Sequence, residues 1–344
     1  ETTDPKDARQ PDPPGSYLFC FWNVENLYDD VDDGKIHDDM ENWFGQNPDK
    51  FRLKIDRLAD VLLSMNDGIG PDILACCEVE NERCLTLLRD AVNARLNKQG
   101  RFDLKYEHVL FLGDNSGRDI APGILTRLPV TADRTRKFAK HPNGRNIEGH
   151  LRVNGHELIV LAAHWTSRVD RNKSGDSNEP ANAHRRMSYA NDCYGRFRAI
   201  LTENPDADVL LFGDFNDTFS DPSIRDGLRA VADADACRKA VDEPRPLALL
   251  ARWGANDDPP GTIFYKSQWS IFDHLLVSRG MLDDAGWSCD PKSAAVFATK
   301  EMRKLGKRNH GEPFRFGDAK TRDHGYSDHF PVTVRLHVRG TAKE

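Results

Sequence analysis

Six short segments carry the residues that could do chemistry. They are Asn23-Val24-Glu25, Glu78 in Cys-Glu-Val-Glu-Asn, His164 in His-Trp-Thr-Ser-Arg, Asp214-Phe215-Asn216, Asp273 in Ile-Phe-Asp-His-Leu, and Ser327-Asp328-His329. Each alone has an ordinary reading, since Asp and Asn favour turns and a lone His at a strand end is commonly a hydrogen-bonded polar residue. Together they offer carboxylates at Glu25, Glu78, Asp214, Asp273 and Asp328, amides at Asn23 and Asn216, and imidazoles at His164 and His329. Such a set suits a hard divalent cation. Mg²⁺ prefers oxygen ligands, keeps several waters, and needs only one or two carboxylates plus phosphate oxygens of a substrate. Mn²⁺ and Ca²⁺ accept similar donors. A zinc site fits less well, because no HExxH or similar spacing occurs.

The chemistry these groups could perform is phosphoester hydrolysis. A phosphodiester is anionic and resists attack by water. A metal neutralises its charge and a base positions the nucleophile. A cationic imidazole or guanidinium stabilises charge that accumulates in the transition state. An Asp bonded to a His fixes the ring tautomer and favours its protonated form. GxSxG and P-loop motifs are both absent, so direct attack by water without a covalent intermediate is expected.

The elements that must position these residues are legible as apolar runs. Tyr17–Trp22, Ile73–Cys77, Leu158–Ala163 and Val209–Phe212 each end abruptly in one of the polar segments. Runs of this length fit strands covered on both faces. Between them lie helical stripes: Phe51, Ile55, Leu58, Leu62; then Leu85, Leu88, Val92, Leu96; then Met187, Ala190, Tyr194, Phe197, Leu201. The order strand, helix, strand over 17–77 recurs over 158–213. Closing strands are predicted at Ile271–Ser278 and Phe330–Leu336. Asp258-Pro259-Pro260-Gly261 reads as a turn, and no linker interrupts 17–340, so one catalytic domain is expected there. The acidic run Asp29, Asp30, Asp32, Asp33, Asp38, Asp39 lacks EF-hand spacing, with Val31 and Met40 where acids would be needed, and reads as a solvated loop.

Composition bounds the rest. Of 344 residues, 38% are hydrophobic and 30% charged, enough for a core and too apolar for a disordered chain. No stretch approaches the ~20 apolar residues that span a bilayer. The net charge of −7 argues against a globally basic nucleic-acid binder, although local patches can act alone. Seven cysteines, an odd number without CxxC, argue against a disulfide framework or zinc ribbon; Cys76 and Cys77 read as buried thiols. Residues 1–16 hold four prolines and no large apolar residue. They read as a flexible leader such as follows a cleaved export signal, or equally as the edge of a trimmed chain. The first reading implies a secreted or periplasmic protein, the second leaves the cytoplasm open. A monomer is expected.

From Asn23 to Pro331 the chain resembles the endonuclease/exonuclease/phosphatase superfamily, with all motifs in that family's order. It is most similar to bacterial, often exported members with FWNVENLYD-like, CEVEN-like, HWTSR-like and SDHFPV-like segments. The resemblance implies a four-layer α/β/β/α sandwich of two mixed sheets flanked by helices. It implies that Asn23, Glu25, Glu78 and Asp328 attend the metal, with Cys77 where many members carry Gln. It implies that His164 contacts the scissile phosphate, Asp214 activates the water, Asn216 binds phosphate, and Asp273 orients His329, which stabilises or protonates the phosphoryl group. Arg118 matches a phosphate-contacting position. Basic residues beside the motifs, Arg168, Arg185, Lys304, Lys307 and Arg308, are expected to grip substrate, since guanidinium forks suit phosphate. The expected activity is divalent-metal-dependent phosphodiester hydrolysis, with nucleic acid as the first substrate. A phospholipid head group, sugar phosphate or nucleotide is the second. A non-catalytic binding module on the same fold is the third reading, against which the complete set of acids and histidines speaks.

Overall fold

The computed structural model describes residues 15–31, 39–113, 118, 120–139, 145–168, 179–306 and 310–340. Along the chain run β1 (Ser16–Leu27), α1 (Asp39–Gln46), α2 (Pro48–Leu63), β2 (Ile73–Val79), α3 (Glu82–Lys98), β3 (His108–Phe111), β4 (Ala121–Thr126), β5 (Asn146–Val153), β6 (His156–His164), α4 (Glu179–Glu203), β7 (Asp208–Asp214), α5 (Ala234–Lys239), β8 (Leu247–Ala248), β9 (Ile263–Tyr265), β10 (Gln268–Ser270), β11 (Asp273–Val277), β12 (Trp287–Cys289), β13 (Ala295–Val296) and β14 (Val332–Val338). Most of the leader segment and the expected phosphate contacts Lys307 and Arg308 lie outside the described residues.

Two mixed sheets carry the architecture. One has the order β12-β14-β1-β2-β4-β3, with β13 added to β14; the other is β5-β6-β7-β11-β8. Each contains one parallel pair, β1 with β2 and β6 with β7. A parallel pair needs a crossover, and α2 and α4 supply it. The repeated strand, helix, strand order seen in the sequence is thus the central unit of each sheet.

The sheets pack face to face, with Phe19 and Phe21 of β1 against Phe212 of β7 at ring-centroid distances of 4.7 and 5.6 Å. Strand periodicity divides the second sheet. Leu158, Val160, Ala162, Leu210, Phe212, Leu275 and Val277 face the shared inner core. Ile159, Leu161, Ala163, Val209, Leu211 and Leu276 face α4, meeting Ala190, Tyr194, Phe197 and Leu201. On the other side α2 packs on α3, which lies over β2, β3 and β4. The apolar stripes of α2 and α3 are buried as the spacing predicts. This is the four-layer arrangement of helix, sheet, sheet, helix. Among the described residues no helix is long and apolar enough to cross a membrane.

Three details differ from the sequence reading. The last strand begins at Val332 rather than Phe330, because Pro331 has no N–H for the ladder and Phe330 N–H donates to the Thr262 carbonyl. The strand expected from Ile271 begins at Asp273, two residues later, and β12 and β13 come between it and the last strand. Asp29 is not solvated: it is buried, paired with Arg83 at 2.9 Å and bonded by the Asn81 amide at 3.0 Å. All seven cysteines are buried as free thiols.

Candidate active site

The site forms where strands of both sheets end together. In the first sheet Asn23 lies opposite Cys77, and beyond that point the pairing of β1 with β2 is irregular, as is that of β2 with β4. The irregularities place Glu25 (φ 52), Asn26 (φ 54) and Glu78 (φ 62) in the left-handed region. Asn tolerates that region; for Glu it is strained, and such strain gathers at functional sites. The result is that the Asn26 N–H donates to Glu78 Oε2 at 2.8 Å and Asn23 Nδ2 donates to Glu78 Oε1 at 3.2 Å. In the second sheet the register sets His164 opposite Asp214 on one side and Asp273 opposite Asp214 on the other. A Cβ at Gly213 would lie 1.8 Å from the Ala163 carbonyl oxygen, so only glycine permits this approach beside His164.

Asp214 is the centre of the arrangement. Its Oδ2 accepts from Asn23 Nδ2 at 2.9 Å and its Oδ1 from the Asn216 N–H at 3.0 Å. His164 Nε2 and His329 Nε2 each approach Oδ2 at 3.8 Å, and His164 Nε2 is also 3.8 Å from Glu78 Oε1. Asp273 Oδ2 accepts from His329 Nδ1 at 2.7 Å. The loop before β14 is tied to β1, with Ser327 Oγ donating to the Asn23 carbonyl at 2.6 Å and Trp22 Nε1 to the His329 carbonyl at 2.9 Å. Asn216, also in the left-handed region, donates from Nδ2 to the Trp165 carbonyl at 3.1 Å.

Burial sorts the protonation states. Asp214 is pushed up to about 7, by burial first and by the neighbouring Asp273 and Glu78 charges, against the pull of His329. Asp328 is pushed up to about 7 by burial and Glu25. Glu78 moves the other way: burial opposes its charge, but the Arg118 and His329 charges and the Asn23 amide favour it. Burial pushes His164 down, helped by Arg145, which leaves a neutral ring. Burial would do the same to His329, but Asp273 and Asp214 overcome it and hold that ring charged.

The cleft above these groups has a volume of about 460 Å³. Glu78, Asp214, Asn216, Asp328 and His329 line it, with Arg168, Lys304 and Arg315 as its cations and Ile263, Phe264, Tyr265 and Phe272 as an apolar wall. Three of the wall's residues come from β9, which pairs with β10 in a hairpin separate from both sheets.

The sequence model of the endonuclease/exonuclease/phosphatase family matches residues 18–338. The chain belongs to this family. Its members are phosphoester hydrolases that generally depend on a divalent metal. Solved structures of the same fold include a family protein from Bacteroides thetaiotaomicron, 14% identical with a TM-score of 0.54, covering 95% of this chain and 100% of the other. Sphingomyelinase C from Streptomyces griseocarneus is 14% identical with a TM-score of 0.53, covering 93% and 99%. Truncated TDP2 from Caenorhabditis elegans is 15% identical with a TM-score of 0.50, covering 94% and 98%. At these identities the likeness establishes the fold. No curated protein matches the chain significantly in sequence.

The donor set of this family member fits a divalent cation. Four carboxylates, Glu78, Asp214, Asp273 and Asp328, gather here, and burial together with neighbouring negative charge raises two of them, Asp214 and Asp328, toward neutrality. A divalent charge relieves the conflict. Glu78 and Asp328 line the cleft, and Asn23 braces the first of them. Glu25 is engaged elsewhere. Its oxygens accept from Arg315 Nε at 2.8 Å and from the N–H groups of Phe316 and Gly317 at 2.8 and 3.3 Å, so it anchors that loop beneath the site.

The basic residues separate as well. Arg118 donates to Asn26 Oδ1 at 2.7 Å and so reaches the site through the β1 bulge. Arg168 donates to the Asn216 carbonyl at 2.7 Å and pairs with Asp217 and Asp221 at 2.5 Å each. Arg185 is exposed on α4 and donates to Asn182; its neighbour Arg186 is the buried one, 2.9 Å from Asp217. Sequence reasoning missed Lys54. It is buried, donates from Nζ to the Glu25 carbonyl at 2.5 Å, and lies over the Phe316 ring. Its signal was present, a lysine three residues after Phe51 on the apolar face of α2.

Proposed function

We propose that this chain is a Mg²⁺-dependent phosphodiesterase that cuts nucleic acid by direct attack of water. The observation that carries the reading is the ring of groups around the single carboxylate of Asp214: one amide, two imidazoles in opposite charge states, and Glu78 one hydrogen bond away. Glu78 and Asp328, with Asn23 in support, would hold a Mg²⁺ ion, which would neutralise phosphate charge when bound. Asp214, its affinity for a proton raised toward neutrality, orients the water and takes its proton as the oxygen attacks phosphorus. Charged His329, aligned by Asp273, donates a hydrogen bond to the phosphoryl oxygens as charge builds there. Neutral His164 and the second hydrogen of the Asn216 Nδ2 amide steer the phosphate on the other side. Lys54 and Arg315 steady the strained β1 bulge.

Support for a polymeric substrate comes from a second hollow of about 770 Å³ that shares Lys304 and Arg315 with the cleft and adds Lys300, Arg303 and Arg322. A chain of phosphates can extend into it. A second reading, cleavage of a small phosphoester or phospholipid head group, is favoured by the apolar wall of Ile263, Phe264, Tyr265 and Phe272. The fold is also that of a sphingomyelinase C.

The test is incubation with plasmid, RNA, a nucleotide panel and sphingomyelin, with Mg²⁺ or with excess chelator. Nucleic acid should be cut, chelation should abolish turnover, and Mg²⁺ or Mn²⁺ should restore it. Neutralising Lys300, Lys304 and Arg322 together should flatten the salt dependence of binding by about 0.7–0.9 log units per lost contact. Cleavage of a small phosphoester alone overturns the nucleic-acid reading, and full activity in chelator overturns the metal requirement.

A further inference from the structure

Beside Asp214, and behind the residues that line the cleft, lies a group that the proposed hydrolysis does not use. Cys77 is wholly buried, opposite Asn23 in the β1–β2 register. Its Sγ, a ring nitrogen of His164 and a carboxylate oxygen of Asp214 all lie within 4.8 Å of one another. His164 Nδ1 is buried without a hydrogen-bond partner. We propose that Cys77, His164 and Asp214 form a second metal site, selective for a thiophilic divalent ion such as Zn²⁺, and that its occupation blocks the enzyme.

The argument rests on donor chemistry. Mg²⁺ has little affinity for sulfur and is satisfied by the carboxylates of the cleft. Zn²⁺ takes mixed sulfur, nitrogen and oxygen ligands in tetrahedral geometry, at roughly 2.0–2.3 Å. Donors around such an ion stand about 3.5 Å apart, so the three side chains need to close by about an ångström. Glu78 and Asp214 line the open cleft, which gives the ion a path. Binding makes a sulfur–metal bond and releases the thiol proton to solvent. It also takes two groups, Asp214 and His164, that steer water and phosphate. A neighbour on the same strand, Cys76, is not part of the cluster, because consecutive strand residues point to opposite faces.

Binding is independent of the proposed reaction; only the inhibition rests on it. Metal-free protein is titrated with Co²⁺ as a spectroscopic stand-in for Zn²⁺. The expected result is a thiolate-to-cobalt charge-transfer band that Zn²⁺ displaces and excess Mg²⁺ does not. Cys77→Ser and Cys77→Gln should each lose the band and weaken Zn²⁺ binding by at least about 10-fold, while Cys76→Ser keeps it. Circular dichroism of each variant identifies any that fails to fold, and Cys84→Ser, which removes the other buried thiol set beside two acids (Asp29 and Glu80), should keep the band; its loss there would place the ion at Cys84 and overturn the assignment. Zn²⁺ inhibition of Mg²⁺-supported turnover, each variant measured against its own Mg²⁺ rate, should be relieved in Cys77→Gln. No band in the wild type, a band that survives both Cys77 substitutions, or equal Zn²⁺ inhibition in Cys77→Gln would overturn the proposal. The cobalt result stands whether or not a substrate is cleaved.

Discussion

Two buried carboxylates on one sheet have opposite fates. Glu148, in β5, is paired with Arg136 at 2.8 Å, Arg196 at 2.6 Å and His150 at 2.9 Å. Those partners outweigh its burial and hold it well below the usual carboxylate range. Asp214, two strands away at the end of β7, is within ion-pair reach only of two imidazoles at 3.8 Å among the described residues. Burial therefore dominates and raises it to about 7. A compensated charge braces a structure. An uncompensated one is kept at some cost to stability, and that cost is what supports the role proposed for Asp214.

The contrast can be broken by substitution. Asp214→Ala should lower turnover at least ~10²-fold, measured as kcat/KM, without lowering the melting temperature, since it removes a charge the fold does not compensate. A stability loss with modest loss of rate would make Asp214 a brace like Glu148. Conversely, Glu148→Gln should destabilise by about 3 kcal/mol in denaturant titration, the low end for a broken buried pair because Arg136 is half exposed. Activity per folded molecule should persist. The sign with pH follows: Glu148 is depressed in the folded state, so its contribution is complete above the ordinary Glu range and is lost as pH falls through the lowered value. The stability gap between wild type and Glu148→Gln should therefore hold from about pH 7 to about pH 5 and narrow steadily as pH falls from about 5 to about 3.

Asp273→Asn should sharpen the comparison at smaller scale, costing about 10-fold in rate. Asp273 is the main group raising His329, so the alkaline limb of the pH–rate profile should move to lower pH. An unchanged limb would separate His329 from the profile. Asp208 offers a milder case. Burial pushes it up to about 7 although Trp287 N–H donates to it at 2.7 Å. The folded chain then holds a proton that the unfolded chain has released, so stability falls as pH rises from about 4 to about 7. Asp208→Asn should reduce that slope in thermal melts, leaving the share that Asp214 and Asp328 contribute. The smallest effect is expected from reductant: with seven buried free thiols, melting temperatures with and without it should agree.

Much of the fold was legible because burial on both faces leaves a plain trace. The runs at 17–22, 73–77, 158–163 and 209–212 became β1, β2, β6 and β7, and the three stripes became α2, α3 and α4. Strand β5 was not legible, since its Glu148 and His150 are polar yet buried against α4's Arg196. The β9–β10 hairpin was hidden too: its turn residues Lys266 and Ser267 take positive φ without the Gly or Asn that usually announces such a turn. Arg185 and Arg186 are one step, or about 100°, apart on a helix, and nothing in their spacing says which turns inward.

The sequence by itself determined which groups could do chemistry and that they stand at the ends of apolar strands. That follows from short-range pattern: apolar runs, then acids and histidines. Tertiary structure alone decided which acid is charged, which is braced, and which is left without a strong cation partner. Glu25 and Glu78 look alike in the sequence, yet Glu25 is claimed by Arg315 from 290 residues away. His164 and His329 are both buried imidazoles, but only the second has Asp273 at 2.7 Å, from 56 residues away. A carboxylate's state depends on distance to other charges and on exclusion of water, and both are set when the two sheets close on each other, not by neighbours along the chain.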